Sequence, residues 1–344
     1  MKFDFVIGNP PYQDEALGDN KTYTPPVYNK FLEEAYTISD RVIMIHPARF
    51  LFNAGSTPKQ WNRKMLNDEH LKVLEYESDC NKYFTNTEIK GGIAITYRNR
   101  KKNFGAIETF TPYQELNSIF HKVIRAKEFE SLSTISVSSY AYHFTDKMHK
   151  DFPDAIKILS KSHAYDLKSN SFDKLPTIFL DTKPKDKKSY IQMVGRKGNR
   201  REYKFIRSDY VNKVSNLDKY KVFISSANGN GHFGETLTLP FVAKPFVGAT
   251  ETFFSVGNFD TEIEAESLIK YIKCKFTRAL FGIVKVTHHI TVETWKYVPF
   301  QNFTPNSDID WSQSIADIDK QLYKKYKLTK SEIAFIESHV KEMK

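Results

Sequence analysis

The sequence has 344 residues, enough for two domains of roughly 100–200 residues each. With 40% hydrophobic and 14% aromatic residues it has ample material for packed cores, so disorder is not the default reading. The 51 Lys and Arg outnumber 41 Asp and Glu, for a net charge of +10 and an isoelectric point near 9.2, a balance that suits a polyanionic partner such as nucleic acid.

Residues 3–7 read as a short buried strand, stopped by Gly8-Asn9-Pro10-Pro11, because two adjacent prolines end a regular element. Residues 27–36 read as a helix with Val27, Phe31 and Ala35 at helical spacing and Tyr28 and Leu32 beside them. The apolar run 41–45 is the next core strand. Residues 57–67 follow as a polar helix opened by Thr57-Pro58, a cap with proline at the first helical position. Strands are expected at 71–76 and, after Gly91-Gly92, at 93–97. This alternation predicts an α/β layer with a largely parallel sheet over the first hundred residues. A helix is expected at 113–125. Beyond it, short β-like runs at 177–180, 191–194, 222–225 and 253–256 alternate with polar turns. Residues 261–281 read as one long helix, with Ala265, Leu268, Ile269, Ile272, Phe276 and Leu280 on one face. Two short helices end the chain, the second opened by a capping box at Thr329 and Glu332.

Cys80 and Cys274 are isolated, which excludes a disulfide framework and a cysteine-based zinc site and fits a reducing cytosol. No stretch approaches the ~20 apolar residues of a membrane span, and the apolar N-terminal run is too short for a signal peptide.

Asn9-Pro10-Pro11-Tyr12, directly after a strand, carries the chemical signal. The exocyclic N6 of adenine is a poor nucleophile because its lone pair is delocalised into the ring. Two acceptors on its two N–H bonds favour a more tetrahedral nitrogen with an available lone pair. The Asn9 side-chain oxygen and the Pro10 carbonyl suit that task, and the prolines hold them in place before substrate arrives. Tyr12 is placed to stack on a base flipped out of the duplex. The same four letters also occur as a plain strand-ending turn.

With this motif the chain resembles the restriction–modification adenine methyltransferases of the Eco57I type. Similar segments are Pro47-Ala48-Arg49-Phe50-Leu51-Phe52-Asn53-Ala54-Gly55, Trp61-Asn62-Arg63-Lys64-Met65-Leu66-Asn67-Asp68 and Ile89-Lys90-Gly91-Gly92-Ile93-Ala94. Further segments are Thr250-Glu251-Thr252-Phe253 and Ala334-Phe335-Ile336-Glu337-Ser338, so the likeness runs over nearly the whole chain. It implies transfer of a methyl group from S-adenosylmethionine to adenine N6 of double-stranded DNA, with Asn9, Pro10, Pro11 and Tyr12 as the catalytic loop and a recognition domain behind it. The implied fold is a partial Rossmann-like methyltransferase sheet followed by a mixed α+β target recognition domain with a helical tail. Its expected parts are a catalytic-loop half over 1–110, a helical linker over 111–150, a recognition domain over 151–310 and a tail over 311–344.

The family's donor loop, F-x-G-x-G, occurs nowhere in the sequence. The nearest pattern is Gly229-x-Gly231-x-x-Gly234, but a β-like, proline-broken stretch follows it where a phosphate-binding loop needs a helix N-terminus. It is read as a turn in the recognition domain. The donor-binding half is therefore expected on a second polypeptide, or the chain is a truncated remnant or a non-catalytic specificity subunit. The basic run Lys183, Lys185, Lys187, Lys188, Arg196, Lys197, Arg200, Arg201 and Lys204, with Tyr190 and Tyr203 among them and a turn at Gly195 and Gly198, reads as a DNA-facing hairpin. Its alternative is a solvated charged surface. His288-His289 has no further ligand at metal spacing, and no metal is expected. Asp79 with Glu88-x-Lys90 loosely fits a nuclease D…E-x-K pattern, a weaker reading than a loop entering a methyltransferase strand.

Overall fold

The computed structural model describes residues 2–14, 24–84, 89, 91–198, 200–285 and 287–343, and it divides into two compact units, residues 1–117 and 118–344.

In the first unit, β1 (Val6–Gly8) is followed by α1 (Tyr28–Ile38), β2 (Arg41–Pro47), α2 (Lys59–Leu66), β3 (Leu71–Glu77) and β4 (Ile93–Asn99). The sheet order is β1-β2-β4-β3. β1 pairs parallel to β2, with Val6 opposite Val42 and Gly8 opposite Met44. β4 pairs antiparallel with both β2 and β3. β1, β2 and β3 thus run the same way, and the expectation of a largely parallel sheet is corrected by β4. That strand lies reversed between two neighbours that run alike, so two of the three pairings are antiparallel. The β-rich composition of residues 93–97 marks a strand without fixing its direction.

Both helices pack on one face of this sheet, against Val42, Met44, Leu71 and Ala94. The buried stripe of α1 is Tyr28, Leu32 and Ala35, spaced by four and three. Phe31, expected on that stripe, is exposed. Thr57 does not cap α2 either, since its hydroxyl donates to Asn62 Oδ1 at 2.7 Å. The opposite face carries Ile7, Ile43, Ile45, Ile95 and Tyr97, all partly or largely exposed, and Ile7 on the outer strand is 75% exposed.

The second unit begins in α3 (Gln114–Ile124) and contains β5 (Ser136–Val137), then α4 (Asp146–Asp151), α5 (Ala155–Ile158) and α6 (Ser171–Lys174). Tyr142, Phe144 and Met148 contribute to its core beside Phe172 and Phe179. β6 (Tyr190–Lys197) and β7 (Arg200–Arg207) form a hairpin, extended by β10 (Val247–Ala249), which lies parallel to β6. The turn is at Gly198. Gly195 is corrected to a strand position, where the ring of Phe172 occupies the space a side chain would need. A second sheet has the order β5-β11-β8-β9, built from β8 (Tyr220–Ser225), β9 (Phe241–Ala243) and β11 (Phe253–Phe259). The two sheets share an apolar cluster of Val194, Phe223, Ala243, Val247, Ala249 and Phe253. Residues 177–180 form no strand and only a bridge from Leu180 to Phe205.

The single helix expected at 261–281 is two helices, α7 (Glu262–Lys273) and α8 (Lys275–Val284), broken where Cys274 is extended at φ −57°, ψ 141°. The break is stabilised from outside. The Asp319 carboxylate accepts the backbone N–H groups of Lys275 and Phe276, both at 2.9 Å, and so caps the start of α8. α9 (Ile315–Lys325) and α10 (Lys330–His339) complete the chain, α10 with the capping box of Thr329 and Glu332. Cys80 and Cys274 are buried thiols. Among the described residues no helix is long and apolar enough to cross a membrane.

Candidate functional site

Because β1 and β2 are parallel and adjacent, their carboxyl ends lie side by side, the position where open α/β sheets hold ligands. Asn9-Pro10-Pro11-Tyr12 leaves β1 there, and Pro47-Ala48-Arg49 leaves β2. Asn9 is exposed and Pro10 buried. Among the described residues neither the Asn9 side chain nor the Pro10 carbonyl has a hydrogen-bond partner. The loop is pinned at its exit: Val27 N–H donates to the Tyr12 carbonyl at 3.2 Å and Asp14 N–H to that of Pro25 at 2.9 Å. The Tyr12 ring is half-buried and meets Phe84 edge-on at 6.4 Å. Its hydroxyl is buried with no partner among the described residues, and burial pushes its pKa up to about 12.

Beside the loop is a pocket of about 420 Å³ whose lining includes Tyr12, Gln13, Tyr28, Arg49, Ser56 and Thr57. That volume lies within the range of small-molecule sites. Under it, Tyr28 stacks on His46, with centroids 5.7 Å apart and planes within 8°. His46 is fully buried. Its Nδ1 is 3.1 Å from the Pro47 carbonyl, which can only accept, so Nδ1 carries the proton and Nε2 accepts from the Thr96 hydroxyl at 2.8 Å. Burial lowers its pKa from 6.5 to about 4. A histidine with a depressed folded pKa binds its proton more readily when unfolded. Stability is therefore full above 6.5 and falls as pH drops toward about 4, by on the order of 3 kcal/mol. Hydrogen exchange of α1 and β2 amides at pH 7 and pH 4.5 checks this: protection is expected to fall with acid in the parent and to change less in His46→Asn.

In the second unit, Lys183, Lys185, Lys187 and Lys188 are exposed in the segment before β6, and Arg196, Lys197, Arg200, Arg201 and Tyr203 are exposed on the hairpin. Register pairs Arg196 with Arg201 and Lys197 with Arg200, which concentrates four cationic side chains at its tip. Arg201 lies over the Phe241 ring, 3.6 Å from its centroid. Lys204 of the same basic run is buried and paired with Asp181 and Glu202, so it is spent within the unit. Arg196 and Arg201 also line an open cleft of about 910 Å³ with Tyr140, Ser225, Thr252 and His289. The rings of His288 and His289 are 3.9 Å apart, and no group of three metal-ligating side chains occurs among the described residues.

The glycine-rich loop is already occupied by its own side chain. The Glu235 carboxylate accepts the amides of Asn230 at 2.9 Å and Gly231 at 3.0 Å, and it pairs with the buried ammonium of Lys285. A side chain on Gly229, which sits at φ +54°, would collide with that carboxylate. The loop thus carries an internal anion where a phosphate-binding turn would present free amides. Of the nuclease-like pattern, Glu88 and Lys90 lie outside the described residues, and the Asp79 carboxylate accepts from Asn81.

Arg49, Tyr28 and His46 had no site role in the sequence reading. Arg49 stood within a segment shared with the family, and that was its only signal.

The model of the Eco57I restriction-modification methylase family matches residues 1–84. An uncharacterized adenine-specific methylase of Mycoplasma pneumoniae (strain ATCC 29342 / M129 / Subtype 1) is 30% identical over 95 residues, which are 27% of this chain and 22% of that protein. The match thus spans about a fifth of that relative's length. Among solved structures, the type IIG restriction endonuclease BpuSI is matched over 91% of this chain and 48% of its own, at 11% identity and a TM-score of 0.32. The type IIL restriction-modification enzyme MmeI in complex with DNA is matched over 98% of this chain and 56% of its own, at 10% identity and a TM-score of 0.28. Over its first 84 residues the chain is similar to the Eco57I restriction-modification methylases.

Proposed function

We propose that this chain is the adenine-accepting and DNA-recognising part of an adenine-N6 DNA methyltransferase of a restriction–modification system, with S-adenosylmethionine as the methyl donor. The observation that carries the reading is the pair of acceptors with no partner among the described residues, the Asn9 side chain and the Pro10 carbonyl, at the carboxyl end of β1 in a loop whose Tyr12 lines a pocket of nucleotide scale. The acceptors hold the N–H groups of the target amine, and the ring of Tyr12 packs on the base. In this scheme residues 1–110 hold the base and residues 151–310 read the DNA, joined by the segment 111–150 and followed by the helices of 311–344. Lys183, Lys185, Lys187, Lys188, Lys197 and Arg200 contact phosphates, while Arg196, Arg201 and Tyr203 approach base edges from the cleft side of the hairpin.

The described residues do not fit the donor. The sequence has no F-x-G-x-G, and the one glycine-rich loop of similar form has its amides taken by Glu235. The donor site is contributed by protein outside these 344 residues. Two features of the first unit suit such an addition: the outer edge of β1 has no paired strand among the described residues, and Phe3 and Ile7 are exposed there.

The test is calorimetry of S-adenosylmethionine with the purified chain, alone and mixed with any polypeptide encoded immediately upstream. No binding alone and binding in the mixture is the expected result. Donor binding by the chain alone overturns the account of the donor site. Sequence-specific DNA binding that never gains donor binding or methyl transfer favours a non-catalytic specificity subunit or a remnant.

A further inference from the structure

We propose that Arg49 binds the backbone phosphate of the nucleotide whose base enters the Tyr12 pocket. This rests on the methyltransferase reading of that pocket. Arg49 follows β2 as Asn9 follows β1, so the parallel pairing of the two strands brings both to the same rim. Arg49 is the one charged side chain among the described lining residues, and the other polar ones are amides and hydroxyls such as Gln13, Ser56 and Thr57. Among the described residues its guanidinium has no hydrogen bond and no ion pair.

A free surface arginine is ordinarily a solvated one. Here the stem is held, while the head has no partner among the described residues. A Cβ on Gly91 would lie 2.6 Å from Arg49 Cγ, and one on Gly55 3.1 Å from Arg49 Cβ, so two glycines make the slot in which the side chain runs. A planar five-donor fork, already positioned and with no carboxylate partner among the described residues, is the group that recognises a phosphate in two-point fashion. A base drawn into this pocket carries its phosphodiester with it. An anchor on that phosphate holds the extruded nucleotide without contacting the atoms that react, which makes Arg49 a binding residue distinct from Asn9 and Pro10.

The experiment uses the full chain and three fluorescein-labelled single-stranded oligodeoxythymidylates. The first carries one central deoxyadenosine. The second is the same with the two linkages flanking that nucleotide replaced by neutral methylphosphonates. The third is thymidylate throughout. Anisotropy titrations give the affinity ratio of the first probe to the second in the parent and in Arg49→Gln. The parent ratio is expected to exceed the variant's by about tenfold, the size of one charge-assisted contact. Arg49→Lys is expected to recover part of it, since it keeps the charge and loses the fork. Asn9→Ala is expected to keep the parent's ratio while losing the preference for the first probe over the third. Equal ratios in parent and Arg49→Gln overturn the phosphate assignment, and an intact adenine preference then leaves the pocket reading standing. A parent with no preference for deoxyadenosine over thymidine overturns the pocket reading, and the assignment built on it.

Discussion

Asn9→Ala abolishes methyl transfer in a reaction supplied with the donor-binding part, lowering kcat by at least about 100-fold, the usual effect of removing one oriented polar group from a transition-state site. Affinity for duplex DNA, set by the basic hairpin, and stability stay at the parent's values, while the preference for an unpaired deoxyadenosine is lost. The Asn9 side chain is exposed and has no partner among the described residues, so its removal breaks no contact that holds the loop. Surface changes of this kind stay within about 0.5 kcal/mol. The loop keeps its shape through the two prolines and the Tyr12–Val27 backbone bond. Asn9→Asp retains an acceptor oxygen and is expected to keep part of the activity. Incorporation of labelled methyl groups into plasmid DNA, set beside a gel-shift titration, separates the two properties. Equal methylation by Asn9→Ala and the parent would remove Asn9 from the mechanism.

Glu235→Ala destabilises the second unit by about 3–5 kcal/mol, the cost of leaving a buried charge without its partner. Lys285 has only 2% of its side chain exposed, and the same substitution frees the amides of Asn230 and Gly231. Burial works against the charged carboxylate of Glu235, but Lys285 and the two amides outweigh it and hold the pKa below its ordinary 4.5. The stabilisation is therefore full above about 4.5 and is lost as pH falls through the depressed value. Urea unfolding of the parent at pH 7 and at pH 3.5 is expected to differ more than that of Glu235→Ala. Adding Lys285→Met to Glu235→Ala is expected to restore part of the loss at pH 7, because it removes the uncompensated ammonium. No recovery in the double variant would place the cost in the loop amides.

The elements that depend on local pattern were legible in the sequence. The strands after residues 41, 71 and 93, the helices α1, α3, α9 and α10, and the Thr329–Glu332 box all announce themselves by periodicity or capping chemistry. The features that were not legible rest on partners far away in the chain. The interruption at Cys274 depends on the Asp319 carboxylate, while the apolar face of residues 265–280 continues unbroken through it. The direction of β4 depends on which two strands accept it. Phe31 has the right spacing for the α1 stripe, but the buried face is rotated toward Leu32. The candidate site divides in the same way. Asn9 to Tyr12 are readable as a candidate because the proposed acceptors and stacking ring are four consecutive residues. Arg49 becomes a candidate only when two parallel strands are seen to end together. In the basic run the charges could be counted, yet only the structure shows that Lys204 is buried and paired with Asp181 and Glu202 while Lys197 and Arg200 at the hairpin tip are exposed.

The reversed strand also constrains how the first unit is made. As the chain leaves the ribosome, β2 and β3 emerge with no hydrogen-bonding surface in common, and each presents an open edge until residues 93–99 arrive. That one segment then seals both edges, and much of the loop-closure entropy of the sheet falls on its insertion. Until then the nascent chain carries two adhesive strands, and the interval over which they need shielding runs through the whole 78–92 connection to the end of β4.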